Sequence, residues 1–215
     1  MSDSGENTID AAAAEPLALS QLLSRVVDDH DGDRLKLSEL AARLSDRSWG
    51  GLLLIFAAIN ILPLPPGATT ITGIPLVLLS AQMAAGRSTP WFPQRFDQRG
   101  VTKGEITKLI AKLLPWERRI ERVLKPRLTA LTNHRGARAI GIVCLLLSVI
   151  LWLPIPLGNH APAITMTLFA TALIYRDGLL VMLGARATLA SLALVSVTLG
   201  AAALAFIFAV QTLLA

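Results

Sequence analysis

Charged residues are scarce in this sequence and unevenly distributed. They make up 16% of the 215 residues, whereas soluble domains usually carry about 25%. Three long stretches contain no Lys, Arg, Asp or Glu: 39 residues from Ser48 to Gly86, 37 from Ala139 to Tyr175 and 29 from Ala187 to Ala215. Uncharged apolar stretches of this length are typical of membrane segments. We therefore expect an integral membrane protein.

Several chemical signatures are also missing. The single cysteine, Cys144, excludes an intrachain disulfide, and its apolar surroundings indicate a small buried hydrophobe. There is no metal-ligand spacing, no glycine-rich phosphate loop and no nucleophile–base pair. We therefore expect no catalytic residue, no metal and no cofactor, and we interpret the protein as a non-enzyme.

The beginning of the chain lacks the basic region and apolar core of a secretory signal peptide. We expect a cytoplasmic N-terminus whose first 14 residues are disordered. The run "DDHDGD", residues 28–33, resembles a calcium loop, but Val27 and Ser38 stand at the first and twelfth positions, where carboxylates are needed. We interpret it as a turn between two amphipathic helices.

The charges that are present differ in sign between two regions. Residues 1–47 hold five basic and ten acidic side chains, and residues 87–138 hold thirteen basic and four acidic ones. A basic block beside membrane segments is typical of the cytoplasmic side and favours anionic lipid headgroups. No nucleic-acid-binding motif accompanies this charge, so we expect no nucleic-acid partner.

The basic region also has amphipathic patterns. Thr102 and Glu105 have the spacing of a capping box. Two apolar stripes follow, the first containing Ile106, Leu109, Ile110, Leu113 and Leu114 and the second Ile120, Val123, Leu124 and Leu128. Basic amphipathic helices beside membrane spans usually lie in the headgroup plane. We favour this interfacial arrangement over a cytoplasmic helical hairpin packed on itself.

Two proline-rich breaks interrupt the apolar stretches at corresponding positions. A shift of 91 residues aligns "LPLPPG", residues 62–67, with "LPIPLG", residues 153–158. Proline lacks the backbone donor that helices need, so each unit consists of an apolar arm, a break and a second apolar arm. Internal repeats with broken helices are common in transporters. The pattern predicts two related helical hairpins.

The arms before the breaks have about 15 residues, or about 22 Å of helix, which is less than the roughly 30 Å hydrocarbon thickness of a bilayer. Two geometries remain open. Each unit is either a pair of spans joined by an external turn or a re-entrant hairpin whose break lies within the membrane. Polar residues near the breaks favour the re-entrant geometry, because backbone at that depth needs sheltered partners.

We predict a ligand site at these breaks. The arm after each break would direct its positive helix N-terminus toward the break, where phosphate or carboxylate groups bind, and arginines would neutralise a phosphate. The predicted ligand-binding residues are Asn60, Pro63, Pro65, Gly67, Thr69 and Thr70 at the first break, Pro154, Pro156, Gly158, Asn159 and His160 at the second, and the charged residues Arg87, Arg176, Asp177 and Arg186.

The predicted fold class is an all-α integral membrane protein with two internal repeats of proline-broken hairpins, basic amphipathic interfacial helices and a C-terminal transmembrane helix or hairpin. The predicted order is a disordered N-terminus (1–14), cytoplasmic amphipathic helices (15–47), a first membrane hairpin (48–86), a basic interfacial or cytoplasmic linker (87–138), a second membrane hairpin (139–177) and a C-terminal transmembrane segment (178–215).

Six segments occur in a characteristic order along the chain. They are "LSELAARLSDRSWGGLLLIFAAINILPLPPG", "GIPLVLLSAQMAAGR", "PWFP", "LPWERRIERVLKPRL", "LPIPLGNHAPA" and "YRDG". On these segments the chain resembles the ExoD family of bacterial exopolysaccharide-synthesis membrane proteins, over residues 17–210. One departure is Leu157-Gly158-Asn159, where Phe-Gly-Asn is expected. The resemblance implies an inner-membrane protein linked to exopolysaccharide production and specifies no molecular activity.

Three functions stand as hypotheses. The first is translocation or binding of an anionic lipid, such as a polyprenyl phosphate used in polysaccharide assembly. The second is a proton- or ion-coupled antiporter with His160 and Asp177 as its titrating pair. The third is a non-transporting interaction protein of the polysaccharide machinery. Membrane lipids are the expected partners, and a homodimer and polysaccharide-synthesis proteins are left open.

Overall fold

The structure is a computed structural model that describes residues 19–30, 32–61, 68–98, 100–108, 110–111, 127–152 and 159–214. The described residues include α1 (Leu19–Asp28), α2 (Leu37–Leu44), α3 (Ser48–Ile61), α4 (Ala68–Ala84), α5 (Gln94–Asp97), α6 (His134–Trp152), α7 (His160–Tyr175) and α8 (Gly178–Leu214). Two-residue strands β1 (Arg34–Leu35) and β2 (Val101–Thr102) and 3-10 turns at Ser45–Arg47 and Thr129–Leu131 accompany them. The chain is mainly helical, as predicted. The predicted disordered N-terminus and both proline-rich breaks lie outside the described residues.

Helices α3 and α4 form an antiparallel hairpin. Near one end, Oγ1 of Thr72 donates a hydrogen bond to Oδ1 of Asn60 at 2.7 Å. At the other end, Nε1 of Trp49 donates to the carbonyl oxygen of Ser88 at 3.1 Å. The first contact joins the end of α3 to the start of α4, and the second joins the start of α3 to the residues that follow α4. The two helix ends on either side of residues 62–67 therefore lie close together.

Glycine brings this hairpin into close contact with α6 and α7. A β-carbon on Gly141 of α6 would lie 2.6 Å from the backbone nitrogen of Ala84, and one on Gly50 of α3 would lie 2.9 Å from the carbonyl oxygen of Ala170. Such separations are shorter than van der Waals contact. Any larger side chain at either position would therefore push the helices apart.

The contacts also fix the direction of the helices. Gly73, near the start of α4, lies beside Trp152 at the end of α6, whereas Ala84 at the end of α4 lies beside Gly141 near the start of α6. Helices α4 and α6 are therefore antiparallel. Gly50 lies beside the end of α7, and α3 and α7 pack extensively on each other. The four helices form one bundle in which neighbours run in opposite directions.

This arrangement gives the bundle two distinct ends. The break end carries the last residues of α3 and α6, Ile61 and Trp152, and the first residues of α4 and α7, Ala68 and His160. The charged end is the opposite one, where Arg87, Arg138 and Arg176 lie near the other termini of these helices. Both proline-rich segments therefore begin and finish at the same end of the bundle.

Helix α8 packs against α7 along its first half. Its buried stripe consists of Gly184, Thr188, Ser191 and Val195, and a β-carbon on Gly184 would meet the Phe169 ring at 2.8 Å. Beyond Val195, no described residue of α8 is buried. The helix has 37 residues, or about 55 Å at 1.5 Å per residue. Its second half therefore extends past the break end of the bundle.

Two of the described helices have the length and apolar composition of membrane spans. They are α6 and the part of α8 from Gly178 to Thr212. Three shorter apolar helices accompany them, Ser48–Ile61, Thr72–Ala84 and His160–Tyr175. These helices coincide with the stretches whose lack of charge predicted membrane segments.

The N-terminal helices and the start of the basic region form a layer at the charged end. Strand β1 pairs antiparallel with β2, with Arg34 opposite Thr102. Asp97 accepts hydrogen bonds from the backbone nitrogen of Ser38 at 2.7 Å and from its Oγ at 2.8 Å, at the start of α2. This small strand pair was not predicted, because it joins segments far apart in the chain.

The predicted capping box is confirmed. Both N and Oγ1 of Thr102 donate to Oε2 of Glu105 at 2.9 Å, and the Glu105 nitrogen donates to Thr102 Oγ1 at 3.2 Å. The following apolar stripe faces inward, since Ile106 is 1% exposed and Ile110 packs on the same core as α1 and α2. These two residues therefore belong to the protein core, and a helix lying in the headgroup plane stays a prediction. Residues 112–126 lie outside the described ranges.

The predicted turn after α1 is present in the described part of residues 28–33. His30 donates a hydrogen bond through Nε2 to the Arg34 carbonyl oxygen at 2.9 Å, and its Nδ1 lies 3.5 Å from Glu39 Oε1. Among the described residues no group of His, Cys, Asp and Glu could hold a metal ion. Both nitrogens of His30 thus serve local contacts.

The antiparallel register of α4 and α6 predicts a specific cross-link. Because Gly73 lies beside Trp152 and Ala84 beside Gly141, Ser80 is opposite Cys144, and both are buried. We expect Ser80→Cys to form a disulfide with Cys144 under mild oxidation, since Cα atoms about 4.4–6.8 Å apart can be bridged. Loss of maleimide labelling after denaturation would report the bond.

Ala81→Cys is the matched control, because the next residue of a helix points about 100° away. It should remain accessible to maleimide after the same oxidation. Efficient cross-linking of Ala81→Cys, with none for Ser80→Cys, would show that the register is different.

Candidate functional site

The polar contact between Asn60 and Thr72 closes the first hairpin at the break end. Asn60 is 2% exposed. Its Nδ2 donates to the carbonyl oxygen of Phe56 at 2.8 Å, and its Oδ1 accepts from Thr72 Oγ1. Because one donor and the acceptor are engaged by the protein, Asn60 positions the start of α4 more than it offers a free group to a ligand.

The first turn of α4 contains two of the predicted site residues, Thr69 and Thr70. The backbone N–H groups of a helix's first turn have no partner within the helix. This turn therefore directs donors and a positive partial charge toward the segment 62–67. Pro63, Pro65, Gly67, Pro154, Pro156 and Gly158 belong to the two breaks and lie outside the described residues.

The start of α7 carries the corresponding residues of the second unit. Asn159 is buried and adopts a helical conformation, and its carbonyl oxygen accepts the Ala163 N–H at 3.3 Å. His160 is the first residue of α7 and is exposed. Since α4 and α7 begin at the same end of the bundle, the structure brings both helix N-termini to the break end.

The break end contains helix termini of both polarities and no carboxylate from either hairpin. Neither residues 48–86 nor residues 139–175 contain an Asp or Glu. The positive N-terminal ends of α4 and α7 and the negative C-terminal ends of α3 and α6 all lie at this end. The two N-terminal turns can donate backbone hydrogen bonds to a phosphate or carboxylate group.

The charged residues predicted for the same site lie elsewhere. Arg87 follows the end of α4, and Arg176 and Asp177 follow the end of α7, all at the charged end. Along α7, Arg176 follows His160 by 16 residues, or about 24 Å. Arg186 is exposed on α8, just over two turns after that helix begins. The structure therefore places Arg87 and Arg176 at the end of the bundle opposite the helix termini that flank the breaks, and it places His160 and Asp177 at opposite ends of α7.

The Arg-Asp-Gly motif forms the tight connection between α7 and α8. Arg176 adopts the left-handed conformation with φ of 52° as it ends α7. Asp177 is 3% exposed, and its Oδ1 accepts the backbone N–H of Leu179 at 2.8 Å, so it caps α8. The Gly178 N–H donates to the Arg127 carbonyl oxygen at 2.7 Å. No ion pair between Arg176 and Asp177 occurs in the described part of the chain.

Sequence reasoning missed a polar clamp at the charged end. Gln82 is buried within apolar α4, where its Nε2 donates to the Trp91 carbonyl and its Oε1 accepts the Trp91 N–H, both at 2.8 Å. This pair of bonds fastens the segment after α4 to the helix. An isolated amide in an otherwise apolar run was the available signal, because a buried amide needs partners.

In the described part of the chain, the buried hydroxyls of Ser80 on α4 and Ser191 on α8 have no hydrogen-bond partner. Near Ser191, the hydroxyls of Thr188 and Ser196 donate to carbonyl oxygens of their own helix. The two serines supply small volume at the α4–α6 and α7–α8 contacts, where close packing is needed.

The fold and the break end thus define a helical protein of paired hairpins that includes membrane-span-like helices. The family model described as "Exopolysaccharide synthesis, ExoD" matches residues 19–197, so the chain belongs to the ExoD family, as the sequence motifs indicated. Its function is therefore linked to exopolysaccharide synthesis.

The chain is also similar to two individual proteins. The chain is 30% identical over 174 residues to Protein ExoD of Rhizobium meliloti, covering 76% of this chain and 70% of that one. It is 27% identical over 151 residues to an uncharacterized protein of Synechocystis sp., covering 69% and 71% respectively. No solved structure matches this chain.

The Asn60–Thr72 contact should contribute measurable stability. We expect Asn60→Ala and Thr72→Val to show a coupling free energy of about 0.5–1.5 kcal/mol in a double-mutant cycle of unfolding in detergent. Thr167→Val is the control, because Thr167 bonds to the Ala163 carbonyl of its own helix. Coupling of Asn60 to Thr167 as large as its coupling to Thr72 would contradict a specific interhelical bond.

The capping role of Asp177 predicts an asymmetric mutational response. Asp177→Ala should lower the free energy of unfolding by about 1 kcal/mol, whereas Asp177→Asn keeps an acceptor for the Leu179 N–H and should lower it much less. Arg176→Ala tests the alternative of an ion pair and should have little effect. Equal losses for Arg176→Ala and Asp177→Ala in thermal unfolding would favour the ion pair.

Proposed function

We propose that this ExoD-family protein is a non-enzymatic inner-membrane protein that binds and translocates an anionic amphiphile used in exopolysaccharide assembly. The ligand class is a lipid monophosphate of the polyprenyl-phosphate type. The phosphate would bind to the N-terminal turns of α4 and α7 at the break end. The observation that supports this proposal is that both helix N-termini lie at the same end of the bundle, where neither hairpin has an acidic residue.

The repeat supports a transport-type architecture. Gly50 contacts Ile174, and Gly141 contacts Met83. The 91-residue shift relates these two contacts. Gly50 corresponds to Gly141, since 141 − 50 is 91, and Met83 corresponds to Ile174, since 174 − 83 is 91. Two units that exchange equivalent contacts are the arrangement expected of an internal pseudo-two-fold repeat, which is common among transporters.

The position of α8 supports a re-entrant geometry. This helix turns back directly after α7, and Gly184 lies beside Phe169, so the start of α7 is level with α8 near residue 193. That level is seven residues beyond Arg186, or about 10 Å. If Arg186 marks the edge of a hydrocarbon layer about 30 Å thick, the start of α7 lies inside the membrane. The two units would then be re-entrant hairpins, and α8 would cross the bilayer beside them.

The distribution of charge supports one orientation. Thirteen basic residues lie between residues 87 and 138, and Arg87 and Arg138 lie at the charged end of the bundle. Basic residues near membrane segments are enriched on the cytoplasmic side. We therefore place the charged end and the N-terminal layer on the cytoplasmic side in this proposal, with the amphiphile entering from the lipid at the break end.

An added carboxylate at the break end tests the proposal. Asn159→Asp introduces a negative charge at the N-terminus of α7, where it favours the helix but repels a bound phosphate. We expect the rate of protein-dependent translocation of a fluorescent polyprenyl phosphate in liposomes to fall at least about tenfold, equivalent to about 1.4 kcal/mol. Dithionite quenching of outer-leaflet probe measures the rate.

Arg176→Gln is the matched control, because it changes the net charge by the same amount at the opposite end of the bundle. It should translocate the probe at the wild-type rate. The proposal is wrong if wild-type protein leaves the rate of protein-free liposomes unchanged, or if both variants reduce it equally. Thermal unfolding of both variants verifies that they are folded.

A further inference from the structure

Two arginines lie around one glycine just after the end of α4. Gly86 has a φ of 78°, and a β-carbon there would lie 3.0 Å from Cδ and 3.1 Å from Nε of Arg138. The Arg138 Nε also lies 3.4 Å from the Ala84 carbonyl oxygen, to which it donates. Arg87 is the next residue after Gly86, so both cationic side chains arise around one glycine.

An exposed tryptophan completes this surface. The Arg87 guanidinium carbon lies 5.9 Å from the centroid of the Trp91 ring, a cation–π distance. Gln82 holds the Trp91 backbone through two hydrogen bonds, yet the Trp91 side chain is 55% exposed. The backbone of Trp91 is therefore fixed by Gln82, while more than half of its side chain is accessible to a ligand.

No carboxylate offsets the charge of these two arginines in the described part of the chain. The ion pairs there involve His30, Glu39, Arg43 and Asp29, and none includes Arg87 or Arg138. An anion beside both guanidinium groups would offset their like charge. Guanidinium groups bind phosphate oxygens through paired, charge-assisted hydrogen bonds.

We propose that Arg87, Arg138 and Trp91 form a binding site for the phosphate of an anionic phospholipid headgroup at the charged end. The arginines would hold the phosphate oxygens, and the Trp91 ring would lie at the headgroup level, which tryptophan favours. This site is separate from the break end, because the length of the bundle lies between them. It would fix the depth of the protein in the membrane, and it does not depend on translocation of any ligand.

The test is lipid-dependent stability of the full-length protein in detergent. Phosphatidylglycerol should raise the apparent Tm of the wild type more than phosphatidylcholine does. In the double variant Arg87→Gln/Arg138→Gln this difference should disappear, with apparent lipid affinity at least about tenfold weaker, or about 1.4 kcal/mol. Arg135→Gln/Arg176→Gln is the control with the same change in net charge, and it should behave as the wild type.

Two further measurements keep the test decisive. Arg87→Lys/Arg138→Lys preserves the charge but removes the planar donors, so it should retain only part of the phosphatidylglycerol effect. This variant serves as the test if the glutamine variant does not fold. Brominated phosphatidylglycerol should quench more tryptophan fluorescence in the wild type than in Trp91→Phe.

The proposal is overturned if both glutamine pairs lose the lipid effect equally, if the lysine variant responds as the wild type, or if fluorescence quenching is the same in the wild type and Trp91→Phe. An equal Tm rise with soluble glycerol phosphate would overturn the assignment to lipid.

Discussion

The close approach of helix backbones at glycine is the constraint on which the rest of this structure depends. Gly141 against Ala84 and Gly50 against Ala170 leave no space for a side chain. Apolar burial provides little drive for helix association in a lipid environment, so contact at small residues has to supply the packing. These contacts hold the two hairpins side by side and bring their breaks to one end. The candidate ligand site follows from that alignment, and no single residue creates it.

Polar side chains in the bundle are few, and the well-defined ones have structural tasks. Asn60 ties α3 to α4, Gln82 holds the segment around Trp91, and Asp177 caps α8. An unpaired polar group is costly in an apolar environment, which explains why these two amides and this carboxylate are bonded to nearby backbone or side-chain groups. The same principle separates structural polar residues from ligand-binding ones. At the break end the donors left for a ligand belong mainly to the helix N-termini.

The sequence predicted much of the fold because its signals are local. Lack of charge marked the helices from Ser48 to Ala84 and from His134 to Tyr175, and the Thr102–Glu105 spacing identified a capping box. The candidate site was predicted less completely. Thr69, Thr70, Asn159 and His160 lie at helix starts of the break end, but Arg87, Arg176 and Asp177 lie at the charged end. Their function could not be read from chain order, since residues adjacent to the same apolar segment occupy opposite ends of a helix.

The N-terminal layer shows a second limit of sequence reasoning. An amphipathic stripe indicates that one face is buried and does not identify what covers it. Ile106 and Ile110 have the pattern of a membrane-surface helix, yet they pack on the core shared with α1 and α2. The pairing of β1 with β2 and the capping of α2 by Asp97 depend on contacts between distant segments. Such contacts leave little trace in local composition.

The sequence by itself determined the helical, membrane-type composition, the two proline-rich segments and the motifs of the ExoD family, because charge, proline and capping act within a few residues. The tertiary structure decided that the helix termini flanking both segments lie at the same end, that the Arg-Asp-Gly turn is a helix connection, and that Arg87 and Arg138 lie around Gly86 near Trp91. The physical reason is that helix direction and neighbour choice are set by packing between segments many residues apart.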